Sequence, residues 1–371
     1  MFEQKAFSFS VDCKNLEQCI KKVSSVSGNS ASFFLGIYKK SVCVFAISSD
    51  TFAMLSVPNS ETADSVGIFG FSSEVLPGLI KGRAVMDFKF DGNECQFSQT
   101  KGKYSGKLAS LSVTEDQISQ ISARVQEKSS GATIPNDVWA TIRLGISATS
   151  VKDVYQNTPL LSYITINEDG RIVVSSFDPQ HFGLFRLKTE FSGSKFRAAI
   201  PQAHFAMIDQ MSGGLDAIFS LSSARLRVSG KGFLLILPAT QAEDRHFNMV
   251  PTFIKELPKP TYSGTCEVDQ LSAVADNIYT LYNANSNFLI KTKGEAFSIG
   301  LSTSSGSASD AIRVKTKSAE TKLSVDPRLF MDLLSLAKSL KVVQLSVTDK
   351  VLSIIGKRDG ADVYLSCSRI E

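Results

Sequence analysis

One stretch decides the fold of this chain: Val325-Asp326-Pro327-Arg328-Leu329-Phe330-Met331-Asp332-Leu333-Leu334-Ser335-Leu336-Ala337, which lies within Lys322–Arg369. Asp326 is a residue type that caps the free N–H groups of a helix, and Pro327 suits the first helical position. The apolar residues that follow recur at helical spacing and predict one buried face, made of Leu329, Phe330, Leu333, Leu334 and Ala337. The run therefore predicts a short helix entered from a strand.

Three strand-like runs follow that helix, at Lys341–Thr348, Val351–Lys357 and Val363–Arg369. Their apolar residues alternate, which is typical of half-buried strands. The residues between them, Thr-Asp-Lys and Arg-Asp-Gly-Ala, are typical of turns. The repeating element is therefore a strand, a helix and a three-stranded meander.

The same repeat occurs six times along the chain. Its copies are 57 to 68 residues apart and begin near Val11, Phe71, Ile134, Ile200, Val268 and Val325. Strand-then-helix segments also arise by chance in α+β proteins, but six evenly spaced copies favour a true repeat. Pro77-Gly78 should shorten the second helix. Two stretches, Ser112–Thr133 and Lys255–Pro260, are expected to be connectors, the second one stiffened by its prolines.

The repeats predict an α+β protein, and the length of the chain indicates several domains. A chain of 371 residues allows two to four domains. Three domains of two repeats each fit best, at 1–128, 129–254 and 255–371. The hydrophobic content of 43% and charged content of 20% are those of an ordinary globular chain. Since Met1–Lys5 lacks the profile of a secretory signal, we expect an intracellular protein.

Residues that could carry catalysis are scarce. None of the three histidines, His181, His204 and His246, has metal-ligand spacing to another histidine or to a cysteine. No nucleophile, phosphate-loop or dinucleotide motif occurs in the sequence. The six cysteines form no C-x-x-C pair, so reduced and mostly buried thiols are favoured over a disulfide framework or a zinc site. The sequence indicates a binding protein rather than an enzyme, with no cofactor and no metal.

The three pairs of repeats, together with a last strand that ends in Arg369-Ile370, give the chain a resemblance to a known family. The chain resembles the bacterial-type DNA sliding clamp, the beta subunit of the replicative DNA polymerase. The resemblance spans the whole chain and is clearest in Ala132–Asn248 and Ser318–Glu371. Low local identity and 25 phenylalanines suggest a divergent, virus-encoded clamp.

The resemblance implies a ring. Two chains would pair head to tail into a homodimer of clamp-type domains, with helices inside, sheets outside and duplex DNA through the hole. Closing the ring would remove the exposed edge strands that each open chain leaves. The ring would tether the DNA polymerase and the clamp loader through linear peptide motifs. Its expected location is the cytoplasm of a bacterial cell or of a virus-infected host.

The helices of such a ring would contact DNA phosphates without reading bases, which permits sliding. In the six segments predicted to form the helices of the repeats, basic residues outnumber acidic ones by only one in total. Each basic residue could therefore simply lie on a solvent-exposed helix face instead of contacting DNA. The candidate phosphate contacts are Lys21, Lys22, Lys81, Arg83, Arg143, Lys338 and Lys341.

Family clamps also bind peptides in an apolar pocket. The family's Thr-Asp-Gly-x-Arg-Leu turn corresponds here to Ser176–Phe182, which keeps Asp178 but lacks the following glycine. The family's last strand is Met-Pro-Met rich, whereas here it reads Ser-Cys-Ser, so a more polar, smaller-walled pocket is expected. Phe182 and Phe253 could instead be ordinary core aromatics. The implied pocket consists of Leu161, Phe177, Asp178, Pro179, Phe182, Thr252, Phe253, Tyr364, Ser366, Cys367 and Ser368.

The implied dimer seam would pair Leu108 and Leu111 of the first domain with Ile278 and Leu281 of the third. Both leucines of the first domain could instead belong to its core. Two other functions stay open from the sequence. One is a structural or assembly protein built from duplicated α+β modules without DNA encirclement. The other is an enzyme whose site forms between domains.

Overall fold

A computed structural model describes residues 6–28, 31–62, 67–91, 94–127, 131–150, 161–178, 180–191, 193–222, 225–240, 242–283, 286–304, 306–316 and 320–369. The helices in this part of the chain are α1 (Cys13–Ser27), α2 (Val75–Ile80), α3 (Glu115–Gln126), α4 (Asn136–Thr149), α5 (Ala203–Ser212), α6 (Asp244–Glu256), α7 (Val268–Tyr279) and α8 (Pro327–Ala337). A short 3-10 helix, Lys338–Leu340, follows α8. No helix among the described residues is both long and apolar enough to cross a membrane.

Most of the remaining structure is β-sheet. The strands before α4 are β1 (Phe7–Asp12), β2 (Ser32–Tyr38), β3 (Ser41–Ile47), β4 (Phe52–Ser56), β5 (Glu61–Thr62), β6 (Ile68–Phe71), β7 (Val85–Phe90), β8 (Glu94–Gln99), β9 (Ser105–Ala109) and β10 (Ala132–Ile134). Between α4 and α7 lie β11 (Leu161–Ile166), β12 (Arg171–Phe177), β13 (His181–Lys188), β14 (Phe196–Pro201), β15 (Ala217–Ser222), β16 (Arg225–Gly230), β17 (Phe233–Pro238) and β18 (Tyr262–Glu267). After α7 come β19 (Phe288–Lys293), β20 (Ala296–Thr303), β21 (Gly306–Arg313), β22 (Lys315–Thr316), β23 (Thr321–Val325), β24 (Val342–Val347), β25 (Val351–Arg358) and β26 (Ala361–Ser368).

The six predicted strand–helix repeats are present. A strand leads into a helix at β1–α1, β6–α2, β10–α4, β14–α5, β18–α7 and β23–α8. Helix α2 has only six residues, as its internal Pro77-Gly78 predicts. In α8, the Asp326 carboxylate accepts a 2.7 Å hydrogen bond from the backbone N–H of Arg328, and Pro327 occupies the first turn. The predicted face of α8 is at most 1% exposed, because it forms part of the core.

Two helices were not predicted from the sequence. The stretch Ser112–Thr133, expected to be a connector, contains α3, which begins with a capping box between Thr114 and Gln117. The predicted connector Lys255–Pro260 begins inside α6, which also contains Pro251. The first prediction was wrong because a polar composition hides a narrow buried stripe, which in α3 consists of Ile121, Ser122 and Val125. The second was wrong only for Lys255 and Glu256, since residues 257–260 lie outside any helix or strand.

The chain forms two compact units, residues 1–136 with 204–239 and residues 137–203 with 240–371. The first unit contains a five-stranded antiparallel sheet of order β5-β1-β7-β8-β9. It also contains an eight-stranded sheet of order β10-β15-β16-β17-β4-β3-β2-β6. Ile121 and Val125 of α3 pack against Phe52 of β4 and Leu234 of β17, so α3 covers the place where those strands pair.

The second compact unit contains a nine-stranded antiparallel sheet of order β14-β11-β12-β13-β26-β25-β24-β18-β22. A four-stranded sheet of order β21-β20-β19-β23 completes it. Helix α4 packs closely on the larger sheet at Gly145, where an added Cβ would lie 2.8 Å from the Phe185 ring and 2.9 Å from Val174. That close approach requires glycine.

Neighbouring repeats exchange their first strands. Strand β1 of the first repeat pairs with β7 of the second, and β6 of the second pairs with β2 of the first. The same exchange joins β10 with β15 and β11 with β14, then β18 with β24 and β19 with β23. Each repeat thus completes the meander of the other member of its pair.

Candidate functional site

One face of the nine-stranded sheet carries a row of aromatic side chains. Residues directly opposite each other in an antiparallel pair point to the same face. Phe177 of β12 lies opposite Phe182 of β13, and Phe182 lies opposite Ser366 of β26. Tyr364 is two residues before Ser366 and therefore shares this face. Helix α6 crosses it and contacts β11, β12 and β13.

Three aromatic rings meet where α6 approaches β13. The Phe182 ring makes an edge-to-face contact with Phe253 of α6, with centroids 4.9 Å apart. On its other side it stacks on Tyr364, at 5.9 Å and 9° between planes. Phe253 is 41% exposed, and the other two rings are half-buried. An exposed aromatic ring packed on a partly buried one can anchor apolar side chains of a ligand.

A second aromatic group lies beside the first, at the same end of the strands. Tyr163 of β11 stacks on Phe177 with centroids 4.9 Å apart, and Phe247 of α6 meets Tyr163 edge-on at 5.6 Å. Burial raises the pKa of the Tyr163 hydroxyl. Leu161 packs against this group and is half-buried. The partly exposed members of both groups form what we call the aromatic patch: Leu161, Phe177, Phe182, Phe253 and Tyr364.

Asp178 holds the turn between β12 and β13. Its carboxylate accepts backbone hydrogen bonds from Gln180 at 2.7 Å and from His181 at 2.9 Å. The other oxygen of the Asp178 carboxylate, Oδ2, contacts Nδ1 of the buried His181 side chain. Ser368 ties the turn to the last strand, since its N–H and its hydroxyl both donate to the carbonyl of Gln180, at 2.7 and 2.9 Å. Pro179, also assigned to the pocket from the sequence, lies outside the described residues.

Two of the residues assigned to the pocket from the sequence are buried and do not form part of its surface. Ser366 and Cys367 are both fully buried. The Ser366 hydroxyl donates to the carbonyl of Leu352 at 2.9 Å and lies 3.0 Å from the hydroxyl of Ser353. Burial raises the pKa of the Cys367 thiol to about 12. Ser366 and Cys367 therefore add no exposed polar surface, contrary to the expectation, and Ser368 alone of the three is partly exposed.

Tyr364 joins the aromatic patch to this buried network. Its hydroxyl donates to the hydroxyl of Ser353 at 3.0 Å, which fixes the direction of the ring. Burial raises the pKa of the Tyr364 hydroxyl, and the hydrogen bond with Ser353 opposes that rise. The predicted residue Thr252 is exposed on α6, next to Phe253.

Sequence reasoning missed three residues of the site. Tyr163 could have been found, because it follows Leu161 by two positions in the same strand and so shares its face. His246 and Phe247 could not, because they lie in the unpredicted helix α6. Nδ1 of His246 accepts a 3.1 Å hydrogen bond from the N–H of Glu243, and its ring stacks on Tyr163 at 6.2 Å. His246 thus fixes the start of α6 over the sheet.

The seven predicted DNA contacts are surface residues, but the structure does not show them acting on one ligand. Lys21 makes a 2.7 Å ion pair with Glu17 one turn away on α1, and Lys22 is half-buried. Arg83 lies 3.9 Å above the ring of Tyr104. Four of the seven follow the last turn of a helix, where a cation also interacts favourably with the helix dipole: Lys81 and Arg83 after α2, Lys338 and Lys341 after α8. Arg143 is exposed on α4.

The predicted seam residues differ in exposure. Leu111 is 53% exposed, Leu281 is 38% exposed and Leu108 is half-buried in β9. Ile278 is only 3% exposed, because it belongs to the buried face of α7. Leu281, and not Ile278, is therefore available to a second chain.

All six cysteines are free and buried, and the described residues contain no group of three or more side chains suited to a metal. No protein-family model matches the sequence, and no curated protein is similar to it. Solved structures do match. The beta subunit of a Streptococcus pyogenes DNA polymerase has a TM-score of 0.77 at 10% identity, covering 98% of this chain and 100% of that one. The chain has the sliding-clamp fold.

Other bacterial structures with the sliding-clamp fold match over a similar length. A Bacillus subtilis DNA polymerase sliding clamp has a TM-score of 0.74 at 13% identity, covering 99% of this chain and 100% of that one. A Pseudomonas aeruginosa sliding clamp bound to griselimycin has a TM-score of 0.72 at 12% identity, with the same coverage. The α+β class predicted from the sequence is confirmed, and the match extends over the whole chain rather than over one duplicated part of it.

Proposed function

We propose that this protein is a DNA sliding clamp, a processivity factor that encircles duplex DNA and tethers a DNA polymerase. The observation that carries the proposal is the match between nearly the whole chain and whole bacterial clamps. Processivity would then come from topology, so weak and sequence-independent phosphate contacts are sufficient. The function needs no catalytic residue, no cofactor and no metal.

The exchange of first strands supports three domains, at 1–128, 129–254 and 255–371. Because each exchange joins the first repeat to the second, the third to the fourth or the fifth to the sixth, three intertwined pairs result. In the proposed ring, two chains would supply six such domains around the DNA. Lys21, Lys22, Lys81, Arg83, Arg143, Lys338 and Lys341 would then make salt-sensitive phosphate contacts.

Unpaired strand edges support ring closure. Strand β9 is the last strand of the five-stranded sheet, and β21 is the last strand of the four-stranded sheet. Exposed edges of this kind favour pairing with another chain, and a closed head-to-tail dimer would satisfy them. Leu108 and Leu111 lie in or just after β9, and we propose that they meet Leu281 across the seam.

The aromatic patch would bind the linear peptides of a DNA polymerase or a clamp loader. Phe253 offers an exposed ring that packs on Phe182, and Phe182 in turn stacks on Tyr364. Asp178 would act indirectly, since its hydrogen bonds fix the turn that precedes Phe182. A cytoplasmic location, in a bacterial cell or in a virus-infected host, follows from the proposed function.

The solution mass tests the proposal. Light scattering across a dilution series should give twice the chain mass of 40.2 kDa, with no larger species. A mass that grows with concentration would indicate an open polymer, as expected of a structural or assembly protein. A chain that stays single even with DNA present would contradict ring closure.

A further inference from the structure

A second groove lies on the opposite flank of α6 from the aromatic patch. It is enclosed by α6 and the nine-stranded sheet and has a volume of about 870 Å³. Among its lining residues one is acidic, Asp362, and six are basic: Arg171, Arg186, Lys188, Lys195, Arg197 and Lys255. We call it the basic groove. This is a denser concentration of positive charge than any helix predicted to contact DNA carries.

The strand register gathers these cations on one face. Arg171 of β12 lies directly opposite Lys188 of β13, and Arg186 lies opposite Asp362 of β26. The turn at the top of the groove is fixed by Gly170, which has a φ of +79°. An added Cβ at Gly170 would lie 2.4 Å from the carbonyl oxygen of Thr189, so the turn is packed against the chain that follows β13. The cations therefore stand on a rigid frame.

Only part of this charge is neutralised within the protein. Arg171 makes a 2.7 Å ion pair with Asp169, and Arg197 pairs with Asp244. In the described part of the chain, no carboxylate forms an ion pair with the remaining four basic residues: Arg186, Lys188, Lys195 and Lys255. All four are exposed. Like charges held this close favour an anionic ligand that neutralises them.

The chemistry of the groove favours a peptide over nucleic acid. Its one aromatic lining residue, Phe247, is 8% exposed and lies 4.3 Å beneath the guanidinium of Arg197, so it offers no platform for stacking a base. The volume lies within the range of about 300–1,000 Å³ typical of ligand clefts, which is too small for a duplex. Carboxylate side chains suit the guanidinium group of Arg186, because such pairs form two parallel hydrogen bonds.

The two sites use different faces of α6, which meet at Phe247, a residue that lines the basic groove and also packs on Tyr163. Asn248, Pro251 and Lys255 line the basic groove, at helical spacings of three and four. His246 and Phe253, seven residues apart, contact the aromatic residues instead. One helix therefore separates an apolar site from a cationic one on the same sheet.

We propose that the basic groove binds an acidic, extended segment of a partner protein, independently of the aromatic patch. The inference goes beyond the proposed clamp function and does not depend on it. An acidic tail in this groove would add a salt-sensitive contact to partners held elsewhere on the protein. Electrostatic contacts of this kind would speed association more than they would slow release.

The experiment measures fluorescence anisotropy of a fluorescein-labelled oligoglutamate peptide with the full chain at low salt. The test variant is Lys188→Glu/Lys255→Glu, which reverses one cation on each wall of the groove. The matched control is Lys291→Glu/Lys322→Glu, which makes the same change in net charge at two exposed lysines that lie opposite each other in β19 and β23. We expect the test variant to bind roughly tenfold more weakly and the control to bind as the wild type does.

Three results would overturn the proposal. Equal weakening in both variants would reduce the effect to net charge. Absence of binding to the wild type would mean that the groove does not take an acidic peptide. Tighter binding of a single-stranded oligonucleotide of equal charge than of oligoglutamate would indicate a nucleic-acid site instead. Thermal unfolding of each variant checks folding, and a Lys188→Gln/Lys255→Gln variant should show a smaller loss of the same sign. The solution mass of the variants stays at that of the wild type, so a failure here is distinguishable from failure of the clamp proposal.

Discussion

Replacing Phe253 with alanine should separate peptide binding from folding. The Phe253 ring contacts Phe182 at 4.9 Å and is 41% exposed, so part of its surface is already buried and part is free for a ligand. Truncation therefore removes two different contributions, one to the stability of the second compact unit and one to affinity. The two can be measured on the same variant.

The stability cost follows from the buried part. Complete burial of a phenylalanine contributes about 1.5–3 kcal/mol, of which somewhat more than half applies here. An edge-to-face aromatic pair adds about 0.5–1.5 kcal/mol. We therefore expect Phe253→Ala to lower the free energy of unfolding by about 1.5–3 kcal/mol. A protein of this size should still fold.

The affinity cost follows from the exposed part. An aromatic side chain has a surface of about 150–250 Å², so a peptide that covers the free two-fifths buries about 60–100 Å². At about 25 cal/mol per Å² this area is worth about 1.5–2.5 kcal/mol, or roughly a 10- to 70-fold change in Kd. The patch should thus behave as a binding hot spot.

The assay is a titration of a labelled peptide that carries two neighbouring apolar anchors, followed by calorimetry of each variant. Leu221→Ala is the matched control, since Leu221 is 45% exposed in β15 and belongs to the first compact unit. It should leave the Kd unchanged. If Phe253→Ala binds the peptide as tightly as Leu221→Ala does, the aromatic patch is not the peptide site.

Three further predictions concern the rest of the molecule. Thr114→Ala removes the capping box of α3 and should lower the free energy of unfolding by about 1 kcal/mol, measured by denaturant titration, whereas Thr114→Ser should retain most of it. Replacing Lys21 and Lys22 with glutamine should weaken DNA retention at low salt and leave it unchanged at high salt. If the variant is retained as well as the wild type at low salt too, neither lysine contacts DNA. Burial raises the pKa of all six cysteine thiols, from an ordinary value of 9.0 to about 11 or about 12. Because the thiols ionise at a lower pH in the unfolded chain than in the folded one, their contribution to the free energy of unfolding is complete below pH 9 and is lost as the pH rises through 11 and 12. Ellman's reagent at pH 8 should react with the thiols only after denaturant unfolds the chain, and rapid reaction of the native protein would contradict their burial.

The repeating architecture could be predicted because local signals and tertiary packing agree. In α8, the cap at Asp326, the proline at position 327 and the apolar spacing all specify the same helix, and the structure contains it. The same agreement located all six repeats. Helix α6 shows the opposite case. Its internal Pro251 argues against a helix, but the capping interaction between Glu243 and His246 and the tertiary contacts of Phe247 and Phe253 stabilise it.

The site could be predicted only in part, because tertiary contacts rather than local sequence bring most of its residues together. Phe182 and Phe253 were assigned to it from the family resemblance, and the structure brings their rings together. Alternation along β26 cannot predict that Ser366 and Cys367 are both buried, because successive residues point to opposite faces of the sheet and their burial depends on packing from other elements, such as α8. The basic groove was not predicted at all, since its cations come from β12, β13, α6 and the segment around β14, and only the strand register brings them together.

Retention on DNA with a blocked end tests the clamp proposal most directly. Linear duplex fixed at one end is incubated with the protein so that closed rings can thread over the free end, which is then blocked with streptavidin before a high-salt wash. A ring that encircles DNA should survive the wash only when the end is blocked, because salt removes phosphate contacts but not topological linkage. If the wash removes the protein equally from DNA with a blocked end and from DNA with a free end, the protein does not encircle DNA and the central proposal is contradicted.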